Sequence, residues 1–177
     1  MDTLNEINPA LAVAFSGHRP DRLPGHGDPD TPETQKLIAT LREQIEDAIE
    51  RGKIIYIQGA MTGFDILCGE QIILLKEKHP QIRLVTVAPY QERFFSREPC
   101  WTPDWIHRAR EVFSRQDIGV KLSERYYPGV YYERNRTMID HSSELICYHD
   151  GGKGGTAQTV RYAKGRGLPV YNLCLCK

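Results

Sequence analysis

The chain has 177 residues, with 23 Lys+Arg against 23 Asp+Glu and 40% hydrophobic residues. That length predicts one domain burying roughly two-thirds of its unfolded surface, and the ordinary apolar and charged fractions exclude disordered, collagen-like and coiled-coil chains. A net charge of zero argues against coating nucleic acid or an anionic membrane by bulk electrostatics, so nucleic acid is not the expected partner. The basic residues divide as 15 Arg and 8 Lys. Arg is the better planar partner of phosphate and carboxylate, so where the arginines sit matters more than their sum.

Met1-Asp-Thr-Leu-Asn-Glu has no basic stretch, and the apolar run Leu11–Phe15 is too short for a signal peptide. No apolar run approaches the ~18 residues of a membrane span. The five cysteines (68, 100, 147, 174 and 176) form no disulfide framework, and three fall inside helix or strand patterns, as reduced thiols do. A cytoplasmic protein is expected. Cys174-Leu-Cys176 is the one cluster with metal-like spacing; lacking a second pair, it reads as a strand-end thiol pair, and neither metal nor cofactor is expected.

Residues 1–10 read as a loose lead-in. Leu11–Ser16 is a short strand stopped by Gly17-His-Arg-Pro20, and residues 20–32, rich in Pro and Gly, read as a loop. Thr31-Pro32-Glu33 supplies an N-cap, a Pro at the first helical position and an acid in the first turn. The helix it opens places Leu37, Leu41, Ile45, Ala48 and Ile49 on one face and ends at Gly52. A second strand, Ile54–Ile57, leads through Gln58-Gly59-Ala60 into a helix from about Thr62 to Lys78. Ile82–Ala88 is the third strand. Thr102-Pro103-Asp104 repeats the Thr-Pro-acid start, opening a helix with Trp105, Ile106, Ala109, Val112 and Phe113 on one side. Ile118–Leu122 is a weak fourth strand, residues 130–141 are helical, and Leu145–Tyr148 is a fifth strand. A glycine turn at Gly151–Gly155, a helix over Thr156–Lys164 and a strand at Pro169–Leu173 complete the chain.

Strands alternating with helices mean βαβ units. The fold class is therefore α/β, a Rossmann-like three-layer sandwich with a mostly parallel sheet, in one domain. In such sheets ligands sit beyond the carboxyl ends of the strands, so the loops after strands carry the chemistry. Asp150-Gly-Gly-Lys-Gly-Gly-Thr156 stands directly between a strand and a helix. Gly152, Gly154 and Gly155 let backbone N–H groups approach a phosphate at the helix N-terminus, and Lys153 and the Thr156 hydroxyl add donors. The run lacks the Walker A order. Gly152-x-Gly154-x-x-Ala157 fits the loose dinucleotide pattern, yet it lies in the last unit with no acid after it to hold a ribose.

Gln58-Gly59-Ala60-Met-Thr-Gly63-Phe-Asp65 again runs from strand into helix. Gly59 and Gly63 permit close backbone approach, and Asp65 either complements the helix dipole or accepts from ribose hydroxyls. In Ser16-Gly17-His18-Arg19-Pro20, Arg19 is placed to clamp a phosphate and His18 titrates near neutrality, suiting either general acid–base work or a capping role. Tyr131, Tyr132, Arg134 and Asn135 enter a helix together, as base-stacking faces with phosphate donors or as cover for a sheet edge. Asp140 follows, either anchoring the glycine turn or facing the ligand. Arg93 and Arg97 follow the third strand, where surface placement is the ordinary expectation.

These stretches stand in the order Ser-Gly-His-Arg-Pro, Gly-Ala-Met-Thr-Gly-Phe-Asp, Pro-Tyr, Glu-Arg-Asn-Arg-x-Met-Ile-Asp and a late Gly-Gly-Thr. Over about residues 11–173 the chain resembles the YpsA-like branch of the SLOG (SMF/DprA–LOG) superfamily. The resemblance implies a Rossmann-like protein of bacteria or phages that binds a nucleotide or nucleotide-derived ligand, such as a mononucleotide, an ADP-ribose type or a cyclic nucleotide. It also implies a homo-oligomer, a dimer first. It carries ligand contacts onto Gly17, Arg19, Gly59, Gly63, Asp65, Arg134, Asn135, Gly154, Gly155 and Thr156. The more distant LOG phosphoribohydrolases follow their Gly-Thr with a Glu that helps cleave the N-glycosidic bond, whereas here Thr156-Ala-Gln-Thr159 has no carboxylate. The expectation is thus a sensor or sequestering protein. An N-glycosidic hydrolase or base-transferase using Asp65 or Asp140 is the alternative, and single-stranded-DNA binding, as in the DprA branch, a third.

Overall fold

Thr31 and Thr102 start two helices in the same way: each side chain accepts the backbone N–H three residues on, from Thr34 and Trp105, with Pro at the first helical position. The computed structural model describes residues 3–174. The chain order is β1 (Ala12–Gly17), α1 (Pro32–Glu50), β2 (Ile55–Gln58), α2 (Phe64–Leu75), β3 (Arg83–Tyr90), α3 (Pro103–Arg115), β4 (Ile118–Ser123), α4 (Val130–Asp140), β5 (Glu144–Tyr148), α5 (Gly155–Gly165) and β6 (Val170–Asn172). Each element expected from periodicity is present. The segment between β1 and α1 is a loop containing two short 3-10 turns, Pro20–Arg22 and Pro24–Gly27.

Six parallel strands form one sheet in the order β4-β3-β2-β1-β5-β6. Leu37, Leu41 and Ile45 of α1, Ile66, Leu67 and Ile72 of α2, and Trp105, Ala109 and Val112 of α3 pack on one face. Met138 and Ile139 of α4 and Ala163 of α5 pack on the other. α2 is apolar almost all round and buried, as befits a helix with neighbours on both sides. It starts later than expected because Gly63, at φ +88°, still belongs to the turn. The expected loose lead-in is packed instead: Leu4, in a short 3-10 turn, and Ile7, just after it, are buried in the second cluster, where they cover a sheet face that the helices leave open. Among the described residues no helix is long and apolar enough to cross a membrane. Cys176 lies outside the described residues.

The topology fixes where a ligand can enter. From β1 the chain steps outward to β4, then returns to place β5 on the other side of β1. The connections leaving β1 and β5 diverge, and a crevice opens above their carboxyl ends.

Candidate functional site

At that crevice lies a cleft of about 400 Å³, lined among others by Gly17, His18, Arg19, Asp65, Tyr131, Arg134, Asn135, Gly155 and Thr156. Its size falls in the range of small-molecule sites. Four loops or helix ends build it, and each is fixed by identifiable contacts.

Gly17 pairs in register with Tyr148, so His18 and His149 follow side by side beyond the sheet. His18 is 5% exposed. Its Nε2 lies 2.9 Å from Asp150 Oδ1 and 3.1 Å from the Asp150 backbone nitrogen. Protonated, that atom donates to the carboxylate; neutral, it accepts the amide N–H. Burial, followed by the neighbouring Arg22, lowers the His18 pKa below 6.5, with Asp150 opposing. The His18 carbonyl accepts the Phe64 N–H at 3.1 Å, tying the first loop to α2. A Cβ at Gly63 would come within 2.5 Å of that carbonyl, so both the positive φ and the contact require glycine.

The second loop is held by Gln58, whose amide donates to Thr86 Oγ1 at 2.8 Å and accepts the Ala60 N–H at 2.6 Å. Ala60 sits at φ +66°. Gly59, Ala60 and Gly63 support the wall rather than form it. A Cβ on Gly59 would lie 2.0 Å from Arg134 Nη1 and 2.7 Å from Asp65 Oδ2, so this glycine is the space into which the Arg134–Asp65 pair fits.

Arg134 and Asp65 approach to 3.7 Å, too far for a direct hydrogen bond. Asp65 accepts the Met61 N–H at 3.3 Å, and Arg134 Nε donates to Asn135 Oδ1 at 2.8 Å. Burial raises the Asp65 pKa and lowers that of Arg134, against their mutual attraction. Arg134 Nη1 and Thr62 Oγ1 are buried without a hydrogen-bond partner, and both residues line the cleft. Most buried polar atoms of folded proteins are paired, by protein or by ordered water.

The glycine turn divides. Asp150 accepts from Arg22 Nε at 3.0 Å and from the Gly152 N–H at 2.9 Å, contacts that hold its carboxyl far below the usual carboxylate range, Arg22 first. Arg22 Nη1 also donates to the Lys153 carbonyl at 3.1 Å, so the guanidinium lies across Gly152. Gly152, Lys153 and Gly154, expected to cradle a ligand, are bridged by Arg22 at Gly152 and the Lys153 carbonyl and are absent from the cleft lining, with Lys153 and Gly154 exposed to solvent. Gly155 and Thr156, in the first turn of α5, remain on it, where helical N–H groups lack intrahelical partners.

Two further expectations are corrected by α4. At 100° per residue, Tyr131, Arg134, Asn135 and Met138 share the cleft face. Tyr132 points away, 45% exposed, with Arg136 5.5 Å over its ring. Asp140 ends the helix at the opposite edge of the sheet, accepting from Tyr162 at 2.8 Å and pairing with Arg166 at 3.4 Å, so it neither anchors the glycine turn nor faces the cleft. Arg97 lies 3.4 Å over the Tyr126 ring. Glu98 beside it, unremarked in the sequence, receives both the Arg19 guanidinium and the Tyr131 hydroxyl. Arg22, Thr62 and Glu98 all come from loops, where no periodicity marks a side chain's direction.

Comparison with known proteins places the chain. It is 29% identical over 138 residues to YoqJ, an SPbeta prophage-derived protein of Bacillus subtilis, covering 73% of this chain and 78% of that one. A UPF0398 protein of Listeria innocua is 24% identical over 147 residues, covering 82% and 78%. The fold matches that of DNA processing protein A from Helicobacter pylori, a structure described for its single-stranded DNA binding mode, with TM-score 0.58 and 24% identity over 96% of this chain and 67% of that one. It also matches DNA processing protein A (DprA) from Streptococcus pneumoniae, with TM-score 0.54 and 15% identity over 91% and 49%. Residues 13–166 match the YpsA family model, described as the YspA SLOG family; the chain belongs to the YpsA family of SLOG proteins.

Proposed function

We propose that the cleft binds a nucleotide or nucleotide-derived small molecule, and that the protein acts as its sensor or sequestering module. The observation that carries this reading is that Arg134 and Thr62, each with a buried polar atom that has no hydrogen-bond partner, line a cleft that also receives the N-terminus of α5. A guanidinium on the cleft that is ion-paired with Asp65 at 3.7 Å but not hydrogen-bonded to it, beside unpaired helical N–H groups, suits an anionic, oxygen-rich ligand. In this reading Gly155, Thr156 and Arg19 take the phosphate, Arg134 and Thr62 complete their bonding on the ligand, and Asn135 borders it.

Binding rather than turnover is the reading preferred because one of the two candidate carboxylates lies away from the cleft. Asp65 is buried against Arg134, and Asp140 stands at the far end of α4 with Tyr162 and Arg166. Asp140 is thus out of reach of a ligand in the cleft, and Asp65, on the lining, is the one of the two that the hydrolase alternative could use. Single-stranded DNA is the second reading, favoured by the fold likeness to the Helicobacter pylori protein; retention of an oligonucleotide that falls steeply with salt would mark it.

The test is incubation of the pure protein with nucleotides, NAD and ADP-ribose species, followed by ultrafiltration and mass spectrometry of both fractions. A ligand retained intact supports the proposal. Free base with ribose phosphate in the filtrate makes the protein an enzyme instead.

A further inference from the structure

The connection from β3 to α3, residues 91–102, is long for a βα loop and is built on aromatic contacts. Phe94 packs on Tyr90 at 5.5 Å and on Trp101 at 5.2 Å, and Phe95 on Trp101 at 4.9 Å between ring centroids. From this connection Glu98 reaches across to the cleft. Its carboxylate takes one Arg19 nitrogen and the Tyr131 hydroxyl, and Tyr131 is steadied by Tyr90 at 3.0 Å. Both Arg19 and Tyr131 line the cleft. The Arg19 side chain is 42% exposed and that of Glu98 18%, so the chain's own carboxylate occupies the cation that is most accessible to an entering anion.

We propose that Glu98 is an internal competitor for the ligand's anionic group, holding Arg19 until a terminal phosphate displaces it, so that the cleft selects ligands ending in a phosphomonoester. The inference rests on the nucleotide reading of the same cleft and adds its ligand class and its gate. A phosphomonoester brings about −1.5 to −2 charge near neutral pH and three strong acceptor oxygens, against the single charge and two oxygens of a carboxylate. A phosphodiester or cyclic phosphate exchanges one monoanion for another. Only the monoester gains charge by taking Arg19 from Glu98, and its arrival releases the connection that carries Phe94, Phe95 and Trp101.

Calorimetric titration of wild type, Glu98→Gln, Arg19→Ala and the double variant with inorganic phosphate, AMP, cyclic AMP and adenosine tests this. Gln is isosteric and keeps an acceptor for Tyr131, so the connection stays folded. Glu98→Gln is expected to bind phosphate and AMP about fivefold tighter, the scale of a partly exposed ion pair, with adenosine unchanged. The double variant is expected to bind no tighter than Arg19→Ala, and wild type to prefer AMP over cyclic AMP. Equal or weaker phosphate binding by Glu98→Gln, cyclic AMP bound as tightly as AMP, or no phosphate bound by either protein overturns the proposal. Phosphate tightening with no nucleotide bound by any variant keeps the gate and removes the nucleotide reading; AMP bound equally by wild type and Glu98→Gln does the reverse.

Discussion

Arg134 and Asp65 face each other at 3.7 Å in a buried site, and removing one leaves the other charged and unpaired. Arg134→Met is therefore expected to lower stability by about 3 kcal/mol, and Arg134→Met with Asp65→Asn to recover part of it, as urea unfolding would measure. Gly59→Ala acts on the same pair from the side: its Cβ would sit 2.0 Å from Arg134 Nη1, forcing the guanidinium away at a cost of about 1–3 kcal/mol. His18 gives a pH signature. Its folded pKa lies below the 6.5 of a free imidazole, so as pH falls below 6.5 the unfolded chain takes up the proton first and stability declines until the folded His18 titrates too. His18→Gln should flatten that part of the stability–pH curve in thermal unfolding between pH 7.5 and 5; an unchanged slope would place the titrating group elsewhere.

At the scale of elements, α5 and α4 carry the clearest tests. A Cβ on Gly155 would meet only Asn135 Nδ2, at 3.9 Å, so Gly155→Asp fits the fold while placing a negative charge at the helix N-terminus. It is expected to weaken phosphate-bearing ligands about tenfold or more with an unfolding midpoint near that of wild type. On α4 the faces separate ligand from solvent: Tyr132→Ala and Asp140→Asn should leave ligand affinity within about twofold, since surface changes away from special contacts have small effects. Loss of binding in either variant, seen by the same titration, would move the site to the outer face of α4. The Tyr131–Tyr132 pair shows how little separates the two faces. One residue along a helix is a 100° turn, and the polar tyrosine-arginine run gives no apolar stripe from which to set the phase.

For the whole molecule, the alternation of strands and helices was legible because buried parallel strands and one-sided helices leave period and punctuation in the sequence. Thr31-Pro32 and Thr102-Pro103 announce their helices, and the βα loops at Gly17 and Gly155 fall where the sheet's carboxyl edge requires them. Strand order was not legible, since the return from β4 to a place beside β1 is a long-range pairing. The site was legible as a set of loops and not as a set of contacts. Arg22 bonds the glycine turn and Glu98 holds Arg19 across 131 and 79 residues of sequence, and the space at Gly59 is filled by the Arg134–Asp65 pair. The central claim is that an anionic ligand is held in the crevice between β1 and β5. The most direct measurement is the map of backbone amide shifts in 1H–15N spectra on adding AMP. The account predicts the largest shifts at Arg19, Thr62, Gly155 and Thr156, with the Arg134 side chain moving alongside. Shifts confined to the Tyr132–Tyr162 face of α4 and α5, or none at all, would contradict it.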